Sequence, residues 1–151
     1  MKKLAVFIFV GMLAVCGIFI PKQSIFDIEG ACEYCFVASV EAAQESELTF
    51  VENGADVIAS TTDKVAAKEF YEKNAPKCVV MKFGCENLQK VKDFLKISQS
   101  WEQKLQDKEI IYGYTSMFEK CEFVNGKKIN VQLVLEGDQL IVGFPLIMTG
   151  Y

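Results

Sequence analysis

The stretch KKINVQLVLEGDQLIVGFPLIM, Lys127 to Met148, decides how the chain folds. Its first half alternates, with Ile129, Val131, Leu133 and Leu135 on one side and Asn130, Gln132 and Val134 on the other. A period of two is that of a strand with one buried face. Gly137-Asp138 then supplies the chemistry of a two-residue turn, and a second strand follows. Here Leu140, Val142, Phe144, Leu146 and Met148 share one side, while Ile141, Gly143, Pro145 and Ile147 share the other. Both sides are apolar, so this strand needs cover on both. Pro145 has no amide proton for a ladder, which predicts an edge strand or a bulge at that point.

Upstream, EIIYGYT, KCEFV and the turn Asn125-Gly126 complete a four-strand C-terminal antiparallel meander. ELTFVENGADVIAS places Asn53-Gly54 between two β-prone runs, the pattern of a hairpin. Three helices are expected to back the sheet. Ser24 to Glu45 has Ile28, Cys32, Cys35, Phe36, Val40 and Ala43 at intervals of three and four. TTDKVAAKEFYEKNAP gives a second helix capped by Thr61 or Thr62, with Asp63 in its first turn and Pro76 beyond its end. CENLQKVKDFLKISQSWEQKLQDK gives a third, with Leu88, Val91, Leu95, Trp101 and Leu105 on one stripe. KCVVMKF between the last two is a short strand. Helices on one face of an antiparallel sheet make an α+β domain.

The first 23 residues read differently. Two lysines precede an uncharged run from Leu4 to Ile20, closed by Pro21. That is the pattern of a signal peptide or an N-terminal membrane anchor, with residues 24–151 as a single exported domain. From Ile25 onward 13 lysines face 20 acidic residues, a formal charge of −7. No histidine and no arginine occur anywhere. Histidine-based triads and histidine metal ligands are therefore excluded. An acidic, arginine-free domain also lacks the electrostatic footprint of a nucleic-acid binder. No phosphate loop, calcium loop or nucleophile elbow appears, so the reading is of a non-enzymatic domain without a cofactor.

Two constellations stand out. Five cysteines follow the N-terminal Cys16, an odd number that cannot close a disulfide framework. Cys32 and Cys35, in CEYC, have redox-motif spacing, and with Cys78 and Cys85 they offer four thiols. Burial in the core, a disulfide, thiol-redox chemistry and a four-thiolate metal site all remain open to them. Tyr112, Tyr114, Asn130 and Gln132 are the second set. On one open sheet face they combine stacking surface with amide donors and acceptors, suited to a peptide or glycan, although plain cross-strand pairing accounts for them too.

The segment GKKINVQLVLEGDQLIVGFPLIMTGY resembles the C-terminus of the YwmB family of exported Gram-positive proteins. The shared features are the INVQL strand, the short turn, IVGFPLI and a terminal tyrosine. YGYTSMFEK just upstream is similar as well, and KEFYEK in the second helix adds to the match. The resemblance covers about Ile111 to Tyr151, in a chain shorter than that family's two-lobed members. It implies a fold like that of the TATA-box-binding protein, a curved antiparallel sheet backed by helices. It implies no catalytic residue and no DNA binding, since groove recognition by that fold uses basic residues and apolar wedges. A protein or envelope partner is the expectation that remains.

Overall fold

The computed structural model describes residues 23–149. The N-terminal signal or anchor segment, with Cys16, lies outside the described residues, and so does Tyr151. Among the described residues no helix is long and apolar enough to cross a membrane.

The domain is α+β. In chain order it comprises β1 (Glu33–Ala38), α1 (Val40–Gln44), β2 (Thr49–Asn53), β3 (Asp56–Thr61), α2 (Lys64–Asn74), β4 (Cys78–Gly84) and α3 (Leu88–Leu95). Then follow β5 (Ser98–Leu105), β6 (Lys108–Tyr114), β7 (Glu122–Val124), β8 (Lys127–Ile129), β9 (Val131–Glu136) and β10 (Gln139–Phe144). Eight strands form one antiparallel sheet in the order β2-β3-β1-β4-β10-β9-β6-β5, and β7 pairs with β8 in a separate ribbon. The helices pack on one face of the sheet. Ala43, Ala67, Phe70, Val91 and Leu95 meet Phe36, Met81, Leu133 and Val142 there in a single core.

The first expected helix is mostly strand. Ser24 and Asp27 form a capping box that closes after one 3-10 turn, Ile25–Asp27, and the chain then extends into β1. From Tyr34 to Ala38 every residue is buried, because β1 lies between β3 and β4 and is covered on both faces. A strand buried on both sides shows no alternation, which is why CFVASV also fits a helical stripe.

The hairpin stands one residue along from its expected place. Asn53 pairs with Asp56, so Gly54 and Ala55 make the turn, with Gly54 at φ 66° as a first central position favours. The second helix is capped by Asp63, whose carboxylate accepts the N–H groups of Val65 (2.7 Å) and Ala66 (3.1 Å), not by Thr61 or Thr62. The third helix ends at Leu95, with Lys96 left-handed at φ 48°. Trp101 and Leu105 therefore belong to strand β5 and not to a helical stripe.

The C-terminal meander has three of its expected strands in the main sheet, β6, β9 and β10, with β9 central. KKINVQLVLE breaks at Asn130 into β8 and β9. β10 is an interior strand between β4 and β9, whereas Pro145 predicts an edge strand or a bulge. The ladder is not interrupted because β10 stops at Phe144, one residue before the proline. Leu146 and Met148 accordingly do not continue its helix-side face. Leu140, Val142 and Phe144 do face the helices, and Ile141 joins a second apolar cluster on the opposite face with Cys35, Val37, Cys78, Val80, Ile110 and Val134.

Candidate functional site

The cover over that second face is the chain's own C-terminal segment. After Phe144 it folds back, so that Ile147 packs on the second cluster. Hydrogen bonds from the sheet hold it: the Ile147 N–H donates to Gln132 Oε1 (2.9 Å), and the Cys78 thiol donates to the Leu146 carbonyl (2.8 Å). Gly143 makes the approach feasible. A Cβ there would lie 2.5 Å from Ile147 Cγ1, 2.7 Å from Ile147 N and 2.8 Å from the Leu146 carbonyl carbon.

The segment leaves part of the face open. Beside it runs a groove of about 310 Å³. Cys35 of β1, Ile58 and Ser60 of β3, Lys82 of β4 and Ile141 of β10 line it, with Thr49 and Val51 of the edge strand β2 and Thr149 of the tail. The register brings these residues together: Ser60 lies opposite Cys35, and Lys82 lies opposite both Glu33 and Ile141. Lys82 Nζ meets Glu33 Oε2 at 2.7 Å, both side chains about one-third exposed (35% and 34%). This hydrogen-bonded carboxylate holds the ammonium above its usual range. At the rim Lys108 pairs with Glu136 at 3.0 Å. The groove thus offers an apolar floor, hydroxyls and one charge pair, a combination suited to main-chain and side-chain groups of an extended partner.

The four thiols fall into two separate settings. In a strand, residues three apart point to opposite faces, so CEYC does not present Cys32 and Cys35 to a common partner. Cys35 and Cys78 are buried on the second face, whereas Cys32 and Cys85 are exposed, and all are free. Cys32 Sγ donates to the Lys82 carbonyl at 3.2 Å. Among the described residues no group of three or more Cys, Asp or Glu side chains is arranged to hold a metal ion.

Burial pushes the Cys35 thiol up to about 11, with the Glu33 carboxylate adding to it. Burial likewise raises Cys78 to about 11. Both thiols are raised in the folded state, so their contribution to stability is complete below the unfolded value and is lost as pH rises through the folded one. We therefore expect stability to fall between about pH 9 and 11, and Cys78→Ala to reduce that slope. At neutral pH a native thiol titration should modify Cys32 and Cys85 quickly, leaving Cys35 and Cys78 until the chain unfolds. Rapid native labelling of Cys35 would contradict this picture.

The aromatic and amide set is brought together only in part. Tyr112 and Gln132 are direct cross-strand partners, and Gln132 is committed to the tail. Tyr112 also stacks on Trp101 of β5, with centroids 5.0 Å apart and planes 19° apart. Lys127 and Lys128 of the ribbon sit over Trp101 and Tyr114, at 4.9 and 5.2 Å. Asn130 is fully buried elsewhere. Its Oδ1 accepts the Thr115 N–H (2.7 Å), and its Nδ2 donates to the carbonyls of Thr115 (2.7 Å) and Phe118 (2.6 Å). It is a loop anchor. Sequence reading missed the groove residues Glu33, Ser60, Lys82 and Val51; the alternation of β3 was the one local signal, and of these it reaches Ser60 alone. No family model, curated protein or solved structure matches the chain.

Proposed function

We propose that the chain is an exported, non-enzymatic binding domain of the cell envelope, secreted or held at the membrane by its N-terminal segment. Its sheet engages a protein or envelope partner through the second-face groove. The observation that carries this reading is the groove itself: an open stretch of a long antiparallel sheet, floored by Ile58 and Ile141, rimmed by charge and hydroxyls, and bordered by the edge strand β2. An open sheet face of this kind recognises a partner through an apolar floor and a few placed polar groups that fix orientation and choice.

The finer fold reading, a TATA-box-binding-protein-like saddle, rests on the YwmB resemblance and is supported by three helices sharing one face of the sheet. Nucleic acid has no place in this proposal. With 20 acidic residues against 13 lysines and no arginine after Ile25, the domain repels a phosphate backbone. No cofactor enters it either.

Protease added to intact cells tests the location. The expected result is loss of the domain without lysis. A domain that stays intact until the membrane is broken would overturn the exported reading.

A further inference from the structure

The two edges of the eight-stranded sheet are built differently. β5 carries an irregularity between Ser98 and Trp101, with Gln99 at φ 54°, and exposes Glu102 and Lys104. Bulges and charges of this kind blunt an edge against pairing. β2 is guarded less: it has no bulge, and Glu52 is its single charge. Its sequence TFVEN contains no lysine and no proline, its five pairs with β3 run without a break, and every residue is exposed. Phe50 and Val51, 38% and 60% exposed, add two large apolar side chains on opposite faces.

We propose that β2 pairs antiparallel with β2 of a second copy of this chain, about a two-fold axis at Val51. The hairpin geometry sets the register. Asn53 and Asp56 flank the two-residue turn and form its closing hydrogen-bonded pair, so pairs alternate from there. That leaves the N–H and C=O groups of Phe50 and Glu52 directed away from β3. With Val51 on the axis, Phe50 of each copy meets Glu52 of the other, and their outward groups close four hydrogen bonds. Thr49 then lies opposite Asn53, and no like charges are juxtaposed.

The pairing is self-complementary, as a two-fold interface requires. A register centred one residue along, on Glu52, would instead set two carboxylates face to face. Val51 is also a groove residue. Its counterpart would therefore extend the apolar wall, and the two grooves would become one site built from both copies. This inference is independent of what the groove binds.

The test uses the full chain in a mild detergent. Sedimentation should give twice the chain mass, and Val51→Lys should weaken association about a hundredfold by opposing two ammonium groups on the axis. Val51 is mostly exposed, so the variant should melt like the parent chain. Val51→Cys should form an intermolecular disulfide on mild oxidation, because opposed residues of a non-hydrogen-bonded pair approach closely. The unaltered chain, oxidised in parallel, accounts for the native thiols, Cys16, Cys32, Cys85 and Cys121 among them. A chain that is monomeric up to about 100 μM, or a dimer unaffected by Val51→Lys, overturns the proposal. A monomer whose Phe50 and Glu52 amides resist exchange would assign the strand to another segment of the same chain and overturn it equally.

Discussion

Gly143→Val lowers the stability of the folded chain by about 3 kcal/mol and makes Cys78 reactive toward thiol reagents under native conditions. The reason is the layer above the sheet. Gly143 lies in the interior strand β10, and a Cβ added to it would meet the backbone of Ile147 and Leu146, at 2.7 and 2.8 Å. A flexible side chain could rotate aside, but backbone cannot. The returning segment must lift, and lifting breaks the Ile147–Gln132 and Cys78–Leu146 hydrogen bonds together. Ile110, Val134 and Ile141, each 6% exposed or less, would then lose apolar cover. Thermal unfolding with native labelling of Cys78 checks both parts. A variant as stable as the parent, with Cys78 still shielded, would show that the segment does not rest on this face.

Asn130→Leu has an effect of similar size by a different route. The side chain is fully buried and satisfies one N–H and two carbonyls of the loop after β6. Leucine has nearly the same volume and none of the polar atoms, so three buried groups lose their partners at once. Each such loss costs about 1–3 kcal/mol, and partial relaxation brings the expected total to about 3 kcal/mol, on the order of 10 °C in melting temperature. The same loop places Phe118 in the core against Phe144, with ring centroids 5.4 Å apart. Loosening it therefore weakens the junction where the tail leaves the sheet. Denaturant unfolding of the variant checks this, and a loss below about 1 kcal/mol would mean that water or rearrangement replaces these bonds.

How far these features were legible in the sequence depends on their range. The Gly137-Asp138 and Asn125-Gly126 turns follow from turn chemistry, β9 from local alternation, and β4, β6 and β10 from short apolar runs bounded by turn signals, and each is present in the fold. β1 was hidden because burial on both faces erases the period that distinguishes strand from helix. The early end of α3 was hidden because Lys96 takes a left-handed conformation that glycine or asparagine usually marks.

At the site, the Tyr112–Gln132 pairing follows once β6 and β9 are neighbours. The role of Asn130 depends on a loop fifteen residues away in the chain, and no spacing rule reaches that far. The groove was the least legible feature. Its lining comes from β3, β1, β4 and β10, strands made adjacent by sheet order and not by sequence. What covers the second apolar face of β10 had a local answer, but one visible only after the chain turns back at Pro145.

We propose that the second-face groove meets a partner at the cell envelope. A photo-activated cross-linking residue at Ser60, on the groove lining, and another at Glu69, on the exposed surface of α2, test it in growing cells. A discrete envelope adduct is expected from position 60 and none from position 69, with the adduct lost when Lys82→Glu sets a second carboxylate against Glu33. Equal adducts from both positions, or none from position 60 in a folded and exported chain, would contradict it.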